Sequence, residues 1–71
     1  MNQPTPAEVS ALRERYQAKH NLGITEAQQQ LAGLIFKKQR AWQFWEYGDR
    51  SMDPALWELL NAKLKHPNLF Q

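Results

Sequence analysis

The sequence predicts an all-α domain of four to five short helices with no sheet, and three observations lead to this prediction. Apolar residues recur at spacings of three and four along four separate stretches. Capping residues, prolines and glycines stand at the ends of those stretches, where helices begin and end. No stretch alternates apolar and polar residues over the length of a strand. A chain of 71 residues is long enough for one such domain.

The first helix is predicted over residues 6–20. Thr5 and Glu8 have the spacing of a capping box, and Pro6 stands at the first helical position, where proline is favoured. Gly23 is expected to supply the left-handed residue that ends this helix. The apolar stripe consists of Val9, Leu12 and Tyr16.

The second helix is predicted to begin near Glu26, because Thr25 and Gln28 have the spacing of another capping box. We expect it to end around Ile35 or Phe36. Helical spacing places Ala27, Leu31, Leu34 and Ile35 on its apolar side.

The third helix is predicted over residues 38–47, with Gly48 ending it. Trp42 and Trp45 stand three residues apart and are expected to form its buried edge. The alternative is that Trp42, Trp45 and Trp57 form an aromatic cage for a ligand. Burial is favoured, because so small a domain without cysteine needs large rings in its core.

The fourth helix is predicted to begin after Asp53, an N-cap residue followed by proline, and to stop before Pro67. Its core side consists of Leu56, Leu59, Leu60 and Leu64. Trp57 falls at the margin of that side. It is expected to be either partly buried or part of a dimer contact, and the fourth helix and Phe70 are candidates for such a contact.

Three segments organise the chain. We expect a flexible N-terminus over residues 1–4, the helical domain over 5–66, and a C-terminal tail over 67–71. The chain shows neither a signal peptide nor an apolar run long enough to span a bilayer, and it has no cysteine. These features predict a cytoplasmic protein without a membrane partner.

The third helix carries the pattern most informative about function. The net charge of the chain is only +2, but Lys37, Lys38 and Arg40 stand within four residues without an acid beside them. With the tryptophans turned inward, Gln39, Arg40, Gln43 and Phe44 are expected to project from the other faces.

Such a helix fits the major groove of duplex DNA. There arginine can pair with guanine and glutamine with adenine, while lysines and the helix N-terminus hold phosphates. The alternative is an ordinary amphipathic helix whose solvated face happens to be basic.

Residues 9–61 resemble the helix-turn-helix domain of the Cro and phage-repressor superfamily. The stretch Arg40-Ala-Trp-Gln-Phe-Trp-Glu-Tyr-Gly48 is similar to a subgroup with Trp-Gln-x-Trp-Glu-x-Gly at the end of the recognition helix. Small phage and mobile-element regulators carry it, including some autoregulators of anti-CRISPR operons. The similarity continues through Met52–Leu60, and the pair Leu31-Ala32 precedes Trp45-Glu46 at the superfamily's spacing.

The resemblance implies a DNA-binding site, with Gln28 touching phosphate at the start of the second helix and Phe44 within reach of a thymine methyl group. The complete set that it implies, with Lys37 in the turn, is Gln28, Lys37, Lys38, Gln39, Arg40, Gln43 and Phe44.

The sequence departs from the pattern of the superfamily at two positions. Phe36 occupies a turn position that is often glycine and would resist a left-handed backbone, so we expect a modified turn or a shifted helix end. Thr25 lies about two residues earlier than the usual cap.

We therefore expect a sequence-specific transcriptional regulator, a repressor that binds double-stranded DNA as a homodimer on a palindromic operator. The alternative is a protein-binding adaptor or antitoxin-like module on the same scaffold. An enzyme is not expected, because paired catalytic carboxylates, nucleophile motifs and glycine-rich phosphate loops are missing. His20 and His66 are isolated, so neither a metal nor another cofactor is expected, and the sequence indicates no small-molecule ligand.

Overall fold

Four α-helices, and no strand, are formed by residues 3–66, which are the residues that the computed structural model describes. The all-α prediction is confirmed, with four helices. The predicted tail over 67–71, including Phe70, lies outside the described residues, and Pro4 of the predicted flexible N-terminus is buried. The helices are α1 (Pro6–His20), α2 (Ile24–Leu34), α3 (Gln39–Tyr47) and α4 (Pro54–Lys65).

The N-terminus of α1 has the predicted capping box. The Thr5 hydroxyl oxygen accepts a hydrogen bond from the Glu8 backbone N–H at 3.1 Å, and the Glu8 carboxylate accepts one from the Thr5 N–H at 2.9 Å. Two backbone donors that the helix cannot satisfy itself are thereby paired. The predicted start and end of α1 are both confirmed.

The residue that ends α1 differs from the prediction. Asn21, not Gly23, adopts the left-handed conformation, with φ of 54°, and the Leu22 N–H then bonds the Gln17 carbonyl at 3.0 Å. Asparagine tolerates this region better than most residues because its short polar side chain can bond locally. Gly23 has φ of −73° and instead precedes α2 as its N-cap.

The start of α2 also corrects the prediction, because the helix begins at Ile24 and not near Glu26. The Gly23 carbonyl accepts the first helical bond, from the Ala27 N–H at 3.0 Å, and no side chain caps this end. Thr25 and Gln28 therefore form no capping box. Gln28 is buried and turns toward α3 instead.

The turn after α2 contains a left-handed phenylalanine. Phe36 has φ of 62°, and the Lys37 and Phe36 N–H groups bond the Ala32 and Gly33 carbonyls at 2.9 and 3.2 Å. This is the Schellman pattern, which normally has glycine at the left-handed position. The expectation that Phe36 would avoid this conformation is wrong, because the two hydrogen bonds offset a cost of about 1–2 kcal/mol.

Helix α3 begins one residue later than predicted, with Lys38 as its N-cap, and ends as predicted at Gly48, whose φ is 81°. Trp42 is fully buried and Trp45 is 7% exposed, which confirms that both belong to the core. Their rings meet edge to face with centroids 5.8 Å apart.

Helix α2 lies at the centre of the packing. Helices α1, α2 and α3 contact one another, whereas α4 contacts α2. The core draws on all four helices and on Met52, which precedes α4. Half-buried Trp57 packs against this core. The buried core residues are Val9, Leu12, Leu31, Ala32, Ile35, Trp42, Trp45, Met52 and Leu60.

Candidate nucleic-acid interface

The predicted site residues do not all lie at the surface. Lys37, Lys38 and Arg40 are exposed, Gln39, Gln43 and Phe44 are half-buried, and Gln28 is buried. The six that reach solvent lie in the turn before α3 and along its first two turns. We call this set the basic face; it comprises Lys37, Lys38, Gln39, Arg40, Gln43 and Phe44.

Burial of the two tryptophans sets the direction of the basic face. Residues two positions apart on a helix are rotated by about 200° from each other. Arg40 and Phe44 therefore lie on nearly the opposite side of α3 from Trp42, which is 0% exposed. Gln39 and Gln43 lie about 60° and 100° from Trp42, so both glutamines flank the side that packs against the core.

Glu46, the one acid on α3, is turned toward the core. Its side chain is 6% exposed and forms an ion pair with Arg13, with Nη2 and Oε1 2.9 Å apart. It also accepts hydrogen bonds from the Ser10 hydroxyl at 3.0 Å, Gln28 Nε2 at 2.8 Å and Trp42 Nε1 at 2.7 Å. The carboxylate therefore ties α1, α2 and α3 together.

Because the Glu46 side chain is turned toward the core, the basic face has no negative charge. Between residues 37 and 48 the exposed charged side chains are Lys37, Lys38 and Arg40, all positive. The first turn of α3 contains no acid, and no side chain caps its N-terminus. The partial positive charge of that end adds to the charge of the lysines.

Gln28 acts inside the protein, in contrast to the phosphate contact that the resemblance implies. It is 4% exposed, and its Nε2 donates to Glu46. This bond leaves its Oε1 to accept from Gln39 Nε2 at 3.1 Å. Because a carboxylate can only accept, Glu46 fixes the orientation of the Gln28 amide, and Gln28 in turn fixes that of Gln39.

Phe44 lies between two arginines. The Arg40 and Arg50 guanidinium carbons are 5.6 and 4.8 Å from its ring centroid, distances at which cations are attracted to an aromatic face. Arg50, which the sequence analysis did not select, is thereby held beside the basic face. Nothing local in the sequence signals this, because Arg50 lies beyond the end of α3.

The ion pair of Glu46 and Arg13 makes stability sensitive to acid. Burial acts to raise the pKa of Glu46, but hydrogen bonds from Arg13, Gln28 and Ser10 and the Arg13 charge hold it below its usual range. Hydrogen bonding to Glu46 also raises the pKa of Arg13. A carboxylate with a lowered folded-state pKa adds stability above its unfolded value, about 4.3, and loses it as pH falls through the folded value.

We therefore expect the midpoint of thermal unfolding to stay nearly constant from about pH 7 to pH 5 and to fall below that range. Thermal melts followed by circular dichroism at a series of pH values would measure this. In Glu46→Gln, which cannot ionise at this position, the fall should be shallower. Parallel pH profiles for the two proteins would show that Glu46 does not carry the effect.

No protein-family model, curated protein or solved structure matches this chain. Among residues 3–66, no helix combines the length and apolar character needed to cross a membrane. In the same part of the chain, no three histidine or acidic side chains gather as they would around a metal ion.

Proposed function

We propose that the chain binds duplex DNA by inserting α3 into the major groove, with the basic face toward the bases and phosphates. The observation that carries this proposal is the opposition of the two sides of α3. Trp42 and Glu46 anchor one side in the core, while Arg40 and Phe44 project from nearly the opposite side. Gln39 and Gln43 lie between the two sides, Lys37 and Lys38 are exposed just before the helix, and no exposed acid lies among these residues. A rigid helix with exposed polar side chains suits the major groove, where each base pair has a distinct hydrogen-bonding pattern.

Each residue of the basic face has a proposed task. Arg40 is the candidate for pairing with guanine O6 and N7, and Gln39 and Gln43 are candidates for adenine. Lys37 and Lys38, with the uncapped N-terminus of α3, would hold phosphates and fix the register of the helix. Gln39 enters the groove with an amide already oriented from within the protein, which lowers the entropy lost on binding.

A sequence-specific regulator is the role that we propose for this binding. One helix reads only a few base pairs, so a homodimer on a palindromic operator, with half-sites about 34–36 Å apart, would provide the needed specificity. The resemblance of residues 9–61 to Cro and phage repressors supports a transcriptional repressor that acts in the cytoplasm. The proposed partners are thus double-stranded DNA and a second copy of the chain.

Binding to DNA is tested first by salt titration. Selection from a randomised duplex library would supply a preferred site, and affinity for it and for a scrambled duplex would be measured at several salt concentrations. We expect the logarithm of affinity to fall linearly with the logarithm of salt concentration, because phosphate contacts release counterions. Failure to bind any duplex, even at low salt, would contradict the proposal and favour a protein-binding adaptor.

Replacing Arg40 with alanine is expected to reduce the preference for the selected site by about 5- to 150-fold, because a two-donor contact to guanine contributes about 1–3 kcal/mol. Stability should change little, since Arg40 is exposed. Competition gel shifts against scrambled duplex measure the preference.

Lys38→Ala is the matched comparison for Arg40→Ala. It should weaken binding to both duplexes alike and lower the salt slope by about 1, because a phosphate contact does not distinguish sequences. If Arg40→Ala retained full preference for the selected site, the basic face would be wrongly assigned.

A further inference from the structure

A groove separates the second half of α1 from the second half of α4. Both helices contact α2, but no Cα atom of one lies within 8 Å of the other. The gap has a volume of about 440 Å³. Its apolar lining includes the half-buried side chains of Tyr16, Leu34 and Leu64, contributed by three different helices.

The polar residues around the groove are mainly cationic. Arg15 and Lys19 of α1 and Lys65 of α4 line it and are exposed, and no aspartate or glutamate is among the described lining residues. Within residues 3–66 none of these three cations forms an ion pair, since the ion pair found there joins Arg13 to Glu46.

Lys63 also lines the groove, but its ammonium group is already engaged. Its Nζ donates to the Leu34 carbonyl at 2.5 Å and lies 4.6 Å from the Phe36 ring centroid. Lys63 keeps its charge, but Arg15, Lys19 and Lys65 are the groove cations for which residues 3–66 supply no hydrogen-bond acceptor. An apolar cleft with cations on two opposing helices complements a molecule that has an apolar body and a negative end.

We infer that this groove binds a small aromatic carboxylate. The volume falls in the range of about 300–1,000 Å³ that is usual for small-molecule sites, which combine apolar lining with a few polar groups. The Tyr16 and His20 rings are in contact, with centroids 4.3 Å apart and planes tilted by 44°, so aromatic rings line the groove beside the leucines. The Arg15 guanidinium has the planar donor geometry that fits a carboxylate.

The site is separate from the basic face, because none of its described lining residues belongs to that face. The inference therefore does not depend on DNA binding and can fail or succeed independently of it. The groove was not predictable from the sequence, because its lining residues come from three helices and become neighbours only in the fold.

Nuclear magnetic resonance titration of the full chain would test the inference, with biphenyl-4-carboxylate as the ligand and the neutral alcohol biphenyl-4-methanol as its matched control. We expect saturable shifts of backbone amides that are confined to the groove residues. The alcohol should bind about tenfold more weakly or worse, because it lacks the charge. Absence of shifts at millimolar ligand, or equal affinity for the two compounds, would overturn the inference.

Paired charge removal adds a second, independent measurement. Arg15→Gln with Lys19→Gln should weaken carboxylate binding at least about tenfold, whereas Lys37→Gln with Lys38→Gln, which removes the same charge elsewhere, should leave it unchanged. All four positions are exposed, so both variants should fold. Equal weakening by the two variants would show binding to overall positive charge and would overturn the inference.

Discussion

Replacing Glu46 with alanine is expected to lower the free energy of unfolding by about 3–5 kcal/mol, because the change leaves the Arg13 charge without its partner. The Arg13 side chain is 14% exposed, so water only partly replaces the lost carboxylate. Trp42 Nε1, Gln28 Nε2 and the Ser10 hydroxyl lose their acceptor as well. Small domains are stable by about 5–15 kcal/mol, so this single change should remove much of the margin. Urea denaturation followed by circular dichroism measures the loss.

Two comparisons separate the ion pair from a general effect of removing charge. Glu26→Ala removes an exposed acid from α2 and should stay within about 0.5 kcal/mol of the original chain. The double variant Arg13→Met with Glu46→Leu should lose less than the sum of its single changes, because neither charge is then left buried alone. If Glu46→Ala cost no more than Glu26→Ala, the carboxylate would not hold the three helices together.

Replacing Trp42 with alanine is expected to cost about 3–5 kcal/mol, the usual range for emptying a buried aromatic site. Its ring is 0% exposed and packs edge to face on Trp45, so the surrounding side chains cannot easily fill the space. The change also removes the indole N–H that donates to Glu46. Because Trp42 anchors α3, the variant should also lose DNA binding. Far-ultraviolet circular dichroism is the appropriate measurement, since tryptophan fluorescence changes with the substitution itself.

Trp57→Ala is the matched control for Trp42→Ala, because it removes the same side chain from a half-buried position. It should cost less, since part of that ring already faces solvent. Trp42→Phe should lie between the two, as it keeps a ring in the core but loses the hydrogen bond to Glu46. A larger loss from Trp57→Ala than from Trp42→Ala would place the centre of the core elsewhere.

Helix boundaries were predictable from the sequence where a local chemical signal decides them. The capping box at Thr5 and the left-handed Gly48 depend on residues within a few positions, and both are confirmed. The end of α1 was predicted correctly, but its left-handed residue is Asn21 and not Gly23, and α2 ends at Leu34, one residue before the predicted range. The choice of left-handed residue costs only about 1–2 kcal/mol, so packing can override it. A nearby glycine indicates that the chain can turn in that region, but it does not identify the residue that adopts the left-handed conformation.

The candidate site was predictable to a similar degree. The spacing of Trp42 and Trp45 determines which side of α3 faces outward, and this pattern lies within one helix. The contacts of Glu46 join it to Ser10, Arg13 and Gln28, which stand 36, 33 and 18 residues away. No periodicity in a single sequence identifies such partners, so the burial of Gln28 and its bond to Gln39 became apparent only in the fold.

The end of α2 shows that this domain has not reached its stability optimum. Phe36 maintains a left-handed backbone at an energetic cost, and its ring remains 84% exposed. One turn earlier, an added methyl group at Gly33 would meet no atom within 4 Å. Proteins commonly retain such unused improvements, because selection acts only against falling below a threshold. Heat-resistant versions of this domain are therefore expected from changes at Gly33 and Phe36, with every residue of the basic face left unchanged.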